Sequence, residues 1–299
     1  MSDLKYSDEV AAARNAGIGL VALESTLISH GLPHPDNIAV ATAAEAAVRK
    51  SGSVPATMAV LDHQTHIGLD DDAMERLATT SGVAKLSRRD LPIALSGVGN
   101  SLGATTVSAT MILAQQAGIE IFATGGIGGV HRGVSDTMDI SADLFELSQT
   151  PVAVVCAGPK VILDLPRTRE YLETMGVTVV GYQCDHMPAF WARSSGLPVD
   201  IRVETPAECA SIIKSRRKLG VGGAVLICNP VAQGLAINLD VIEGWVAGCI
   251  DDAPKGAAAT PWLLAEIARR SDGLSLAANK QLIIDNARLA GEIAAASTA

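Results

Sequence analysis

Lys160 stands in VAVVCAGPK, just beyond a run with almost no polar side chain. A lysine delivered at the carboxyl end of a buried parallel strand sits where open α/β sheets bind ligands. Partial desolvation there would lower its pKa and free a neutral amine for imine formation. The competing reading is an ordinary surface lysine at a helix start, although lysine is the unfavoured sign for a helix N-terminus. Glu24 lies inside the strand-like LVALEST, where an unpaired carboxylate would be costly if buried. It could serve as a general acid with a raised pKa, or pair with an arginine for purely structural reasons.

The richest segment is ATGGIGGVHRGVSDTMDISADL, in which Gly125, Gly126, Gly128 and Gly129 follow an apolar strand. Such a loop lets backbone approach a ligand closely, or simply makes a tight turn. It is neither a dinucleotide fingerprint, whose spacing differs, nor a Walker loop, whose Gly-Lys-Ser/Thr ending is missing. Asp136, Asp139 and Asp143 follow at three- and four-residue spacing, which would share one face of a helix. Like charges so placed call for a cation, and Mg or Mn suits oxygen ligands. In the alternative, Asp139 or Ser141 caps a helix beginning near Ala142. Lys85, Arg88 and Arg89 in AKLSRRD offer anion contacts in an otherwise acidic chain. Asp62, His63, His66 and His34 lack the spacing of a zinc site.

These groups need a scaffold, and its elements alternate. Residues 18–28 read as a strand, 37–50 as an alanine-rich helix, and PATMAVLDHQTHIGL as a strand, a turn and a short strand. The run ending in PIAL reads as strand-like, GATTVSATMILAQQAG as a helix, and IEIFA, PVAVVC, VTVVGYQ and GGAVLICN as strands. PKVILDLPRTREYLETMG reads as a helical segment, 206–219 as a helix, and helices dominate the remainder. In NKQLIIDNARLAGEIAAA, Asn279 at the helix start is a cap or a substrate contact. Strands alternating with helices at about 20-residue spacing predict an α/β protein with a largely parallel sheet. No linker divides the chain, so residues 1–299 are expected to form a single domain.

Composition narrows the function. With 48% hydrophobic and only 3% aromatic residues, the core must be aliphatic, as suits buried parallel strands under alanine-rich helices. A net charge of -9 disfavours a nucleic-acid backbone as partner but leaves room for a small phosphorylated ligand. Five unpaired-looking cysteines suit free thiols in a reducing compartment. No apolar run is long enough to span a membrane. The expectation is a cytoplasmic protein, or an organellar one if an import signal has been removed.

Taken together, LESTLISHGLPHPDN, KLSRRDLP, GATTVSATMILAQQAGI, FATGGIGGVHRGVSDTMDISADL, VVCAGPKVILDL, TPWLLAEIA and SLAANKQLIIDNARLAGEIA closely resemble the pseudouridine-5'-phosphate glycosidase family, of pseudouridylate synthase type, over nearly the whole chain. The resemblance implies a three-layer α/β/α domain with a central mixed, largely parallel sheet, similar to the indigoidine synthase A-like fold. It implies reversible cleavage of pseudouridine 5'-phosphate to uracil and ribose 5-phosphate through an imine between Lys160 and the ring-opened sugar. Glu24 would be the acid, and Asp143 would take the lysine proton or steady the iminium. Lys85, Val107, Ser141, His131 and Asn279 would contact substrate. Asp139 would coordinate Mn2+, with Mg2+ or another divalent cation as the alternative. A homotrimer with small-molecule substrates, no nucleic acid and no membrane partner is implied, as is the absence of a fused kinase. The alternative is a related C-glycosidase or a lysine-dependent lyase acting on another sugar phosphate. One departure is Pro159, where the family commonly has a small residue, which would either rigidify or re-aim Lys160.

Overall fold

The computed structural model describes residues 4–254 and 259–298. Eleven strands lie among them: β1 (Leu4–Tyr6), β2 (Leu20–Leu23), β3 (Val54–Leu61), β4 (Gln64–Ile67), β5 (Ala84–Leu86), β6 (Leu102–Thr105), β7 (Ile121–Ala123), β8 (Ala153–Cys156), β9 (Thr178–Tyr182), β10 (Ile201–Val203) and β11 (Val225–Cys228). They form one mixed sheet in the order β1-β4-β3-β2-β7-β8-β11-β9-β10, with β6 also on β3 and β5 on β6. From β3 to β10 every pairing is parallel. The second half of β3 leaves this arrangement and pairs antiparallel with β4 and β6.

Alternation along each strand divides the core in two. Val21, Leu23, Ile121, Ala123, Ala153 and Val155 pack on one face, where the long helix Leu274–Thr298 lies against Asp36–Lys50 and Pro206–Leu219. Ala22, Phe122, Val154 and Cys156 pack on the other, beneath the helix Val107–Ala117. With both faces covered, β7, β8 and β11 are buried along their whole length, which explains their unbroken apolar sequences. The chain therefore has the expected three-layer α/β/α fold. All five cysteines are free.

Several local expectations fail for identifiable reasons. The strand expected over 18–28 ends at Leu23, because the Ser25 hydroxyl donates to the Met58 carbonyl at 2.6 Å and accepts the Thr105 N–H at 2.9 Å. The next residues, Leu27–Gly31, coil into a π-helical turn. PIAL belongs to the short helix Leu91–Leu95, which carries Pro92 in its first turn, where the missing N–H does no harm. The helix after Lys160 begins only at Leu165, capped by the Asp164 side chain, so Lys160 sits in a turn. Asn279 lies inside the helix Leu274–Thr298 and is not its cap.

Candidate active site

The carboxyl ends of β2, β7 and β8 open, together with β5 and the helix Val107–Ala117, onto a cavity of about 890 Å³. Lys160, Glu24, Asp143, Lys85, Val107, Ser141, His131, Asn279 and Asp139 all line it, although 255 positions separate the first from the last in the sequence.

Lys160 is placed by backbone pairing that continues beyond the sheet. The Ile127 N–H donates to the Gly158 carbonyl at 3.1 Å, and the Lys160 N–H donates to the Ile127 carbonyl at 3.1 Å. Pro159 lies between these two bonds, opposite Ile127, where no N–H is required, so proline holds the register with nothing lost from the ladder. Gly158 takes φ +78, and a Cβ there would overlap the Pro188 carbonyl oxygen. The Lys160 ammonium donates to the Gly126 carbonyl at 3.1 Å. Pro159 therefore fits the pairing that positions Lys160 without removing a bond from it.

The glycine loop is built for close approach. A Cβ on Gly128 would overlap the Ser141 hydroxyl. The freedom it keeps lets the Gly128 N–H reach one Asp143 carboxylate oxygen at 2.8 Å, while the Ser108 N–H reaches the other at 3.1 Å. Asp143 is buried beside the N-terminus of the helix Val107–Ala117. Ser141 caps the helix Ala142–Gln149, accepting from the Asp143 N–H at 3.2 Å. The cap expected of Asp139 or Ser141 therefore falls to Ser141.

Asp136, Asp139 and Asp143 do not share a helical face. The helix Val134–Thr137 stops at Met138, whose φ is +53, and the next helix begins at Ala142. Asp136 is exposed outside the cavity lining. Asp139 lies 3.8 Å from His131, and its carbonyl accepts the His131 N–H at 3.0 Å.

Glu24 is not paired with an arginine. Its two carboxylate oxygens accept hydrogen bonds from the hydroxyls of Thr26 and Thr124. Thr124 is itself fixed from the far end of the chain, because Asn286, fully buried on the helix Leu274–Thr298, donates to the Thr124 carbonyl at 2.8 Å. Asn286 also accepts from Asn229 at 3.0 Å. Sequence reasoning missed Thr26, Thr124 and Asn286. The buried polar character of Asn286, amid LIIDNARLA, was the available signal, since a fully buried amide must be bonded to something. A Thr124→Val variant is expected to lower turnover roughly tenfold to a hundredfold, by loss of one of the two hydrogen bonds that aim the Glu24 carboxyl group, while Thr124→Ser stays near the parent. Steady-state rates of the two variants check this.

The basic segment divides. Arg88 makes a bidentate pair with the buried Glu146 at 2.7 and 3.1 Å, and Arg89 is 85% exposed in side chain. Lys85 faces the cavity. Desolvation pushes its pKa below the usual lysine value, and the charge of Lys160 pushes it further, against partial compensation by Glu24 and Asp143.

Residues 9–296 match the family described as indigoidine synthase A like protein. A pseudouridine-5'-phosphate glycosidase of Methylobacterium nodulans is 50% identical over 98% of this chain and 88% of its own length. One from Staphylococcus aureus is 48% identical, covering 98% and 96%. Among solved structures, the prealnumycin C-glycosynthase AlnA in complex with ribulose 5-phosphate superposes with a TM-score of 0.90 at 39% identity, over 99% of this chain and 97% of that one. An indigoidine synthase A-like protein from Thermotoga maritima gives 0.92 at 32% identity, over 100% and 97%.

Proposed function

This chain belongs to the pseudouridine-5'-phosphate glycosidase family, and on that premise we propose that it reversibly cleaves the C–C glycosidic bond of pseudouridine 5'-phosphate, giving uracil and ribose 5-phosphate. The observation that carries this reading is the presence of an amine, Lys160, and a carboxyl group, Glu24, held on neighbouring loops of one cavity. Release of uracil from the phosphorylated nucleoside by the purified chain, in the presence of Mn2+, is the direct test. Absence of release by folded protein sinks the proposal.

The chemistry explains why both groups are needed. A carbon-linked uracil cannot leave as a nitrogen anion, so its C5 must gain a proton and the electron demand at C1' must be met from the sugar side. The neutral Lys160 amine bonds to C1' as the C1'–O4' bond breaks, and the proton shed by the lysine nitrogen passes to the O4' alkoxide, leaving a secondary amine with its lone pair free. Glu24 then protonates C5, the C1'–C5 bond breaks, and the lysine nitrogen lone pair completes an iminium. Water adds to the iminium and releases ribose 5-phosphate and free lysine. Asp143, locked by two backbone N–H groups, takes the lysine proton or steadies the iminium. The cleavage consumes one water, and synthesis releases it.

Lys85, with backbone N–H groups of the surrounding turns, would hold the phosphate in this proposal. Because its pKa is lowered, Lys85 loses its charge at a lower pH than an ordinary lysine. The KM for the phosphorylated substrate is therefore expected to rise on the alkaline side before a normal lysine would titrate. Lys85→Ala should raise KM roughly tenfold or more at neutral pH, by loss of a charge-assisted bond, and flatten that alkaline limb. A pH series of KM for parent and variant measures both.

A divalent cation, Mn2+ with Mg2+ as the alternative, belongs to the same proposal. Among the described residues no three His, Cys, Asp or Glu side chains gather into a cage. Asp139 offers one half-buried carboxylate to the cavity, a donor set that fits a hard ion keeping most of its water. When bound there, the ion would orient substrate oxygens through that water. Val107, Ser141, His131 and Asn279 would contact substrate from the surrounding wall. The proposal includes a homotrimer, supported by exposed apolar side chains such as Met138, Val98 and Leu219.

A further inference from the structure

Arg132 directly follows His131, a residue of the cavity wall, yet it does not itself line the cavity. Its guanidinium turns instead toward the chain just past Lys160. Nε donates to the Ile162 carbonyl at 3.2 Å, while Nη2 reaches the Val161 carbonyl at 3.4 Å and both carboxylate oxygens of Glu243 at 2.8 Å. Glu243 lies on the helix Leu239–Ala247, so three separate parts of the chain meet at this one side chain.

The carbonyls it serves need a donor. Lys160 lies in a turn that becomes helical only at Leu165, and Val161 and Ile162 are both buried, where an unpaired carbonyl is costly. On the near side of Lys160 the chain is already fixed, by the bonds between Ile127 and the backbone of Gly158 and Lys160. Arg132 fixes the side that follows. Its own anchorage is firm. The Val130 carbonyl accepts the Asp164 N–H at 2.9 Å, the Val130 N–H donates to the Thr168 hydroxyl at 2.9 Å, and the His131 N–H donates to the Asp139 carbonyl at 3.0 Å. The turn that carries the nucleophile is thus held at two points of the same glycine loop, which also brings Asp139 and Ser141 to the cavity. An arginine suits this task, since its planar fork presents several N–H donors in fixed directions, where a lysine ammonium acts as a point charge. Glu243 offsets the positive charge, so what the pair contributes is geometry.

Resting on the functional reading above, we propose that Arg132, steadied by Glu243, is a positioning residue for the reaction: it sets the turn that aims the Lys160 amine at C1' of the sugar. It touches neither substrate nor product. Its loss leaves substrate binding in place and slows the step in which the amine bonds to carbon.

The test measures uracil release from pseudouridine 5'-phosphate with Mn2+ and, separately, the rate at which ribose 5-phosphate is trapped on the protein. In trapping, the amine bonds to C1' of the open-chain sugar, water leaves, and borohydride delivers hydride to the iminium carbon. Arg132→Ala is expected to lower kcat and the trapping rate together, each roughly thirtyfold, in keeping with the cost of a misplaced reacting group, and to leave KM within about threefold. Guanidinium ion at low millimolar concentration, far below a denaturing level, should recover part of the trapping rate in this variant and add nothing to the parent. Arg132→Lys and Glu243→Gln each keep part of the interaction, so both should fall between the parent and Arg132→Ala, and they serve if the alanine variant fails to fold. A folded alanine variant with the parent's trapping rate overturns the assignment. So does a raised KM at an unchanged trapping rate, which makes Arg132 a binding residue. A loss of rate matched by a lowered Tm and left unrepaired by guanidinium overturns it as well, because the role is then stability alone. A parent that traps ribose 5-phosphate on Lys160 but releases no uracil overturns the functional reading and leaves this positioning role standing.

Discussion

Lys160→Ala is expected to abolish uracil release, with turnover falling on the order of 10⁴-fold or more, because no other step supplies an electron sink on the sugar. The fold should survive. The bonds that place residue 160 are made by its backbone N–H and by Gly158, and only the bond to the Gly126 carbonyl is lost. Borohydride treatment with ribose 5-phosphate should add the mass of one reduced sugar phosphate to the parent and none to the variant. A variant that still turns over at a measurable fraction of the parent rate, or a parent whose adduct maps to another lysine such as Lys85, would remove Lys160 from the mechanism. Lys160→Arg separates charge from nucleophilicity. Arginine stays protonated, so it should be as inactive as alanine.

Asp143 carries the second large effect, and here structure and chemistry are entangled. Its buried carboxylate is the partner of two backbone N–H groups, from Ser108 and Gly128. Asp143→Ala leaves both without their acceptor and is expected to destabilise the protein by about 2 kcal/mol or more, lowering its Tm by several degrees, besides reducing turnover at least a hundredfold. Asp143→Asn distinguishes the two roles. The carboxamide keeps an acceptor oxygen for one N–H but turns an NH2 toward the other, so part of the stability returns. It has no charge with which to take a proton or face an iminium, so turnover should remain low. Calorimetry and steady-state rates on both variants check this, and an Asn variant with the parent's turnover would reduce Asp143 to a structural role.

The two effects are linked through Lys85. Its depressed pKa reflects desolvation and the charge of Lys160, against the opposing pull of Glu24 and Asp143. Neutralising Asp143 removes one of the groups that keep Lys85 protonated. Part of the loss in Asp143 variants should therefore appear as weaker binding of the phosphorylated substrate. In Lys160→Ala, where the repelling charge is gone, Lys85 should instead hold its proton to higher pH.

Much of this was legible along the chain because it depends on local chemistry. Unbroken apolar runs announced strands buried on both faces, and β7, β8 and β11 are such strands. Alternation with helices announced a parallel sheet, and a lysine after such a strand announced the end of the sheet where ligands bind. The blocks around Glu24, Lys85, Asp139, Asp143 and Lys160 carried a family resemblance that the matched relatives bear out.

Tertiary structure decided what depends on partners distant in sequence. Ser25 ends β2 because its hydroxyl bonds to Met58 and Thr105, 33 and 80 residues away. Periodicity cannot register such bonds. The three aspartates separate because Met138 turns left-handed, and Asp143 then finds N–H groups on two other segments in place of the cation that their spacing suggested. Thr124 holds Glu24 across 100 residues, and Asn286 holds Thr124 across 162. Residue types and order thus fixed which chemistry the chain could carry. Which groups share a hydrogen bond, a burial site or a face of the cavity was settled only when the sheet brought its loops together, since those interactions act over a few ångströms of space whatever the distance along the chain.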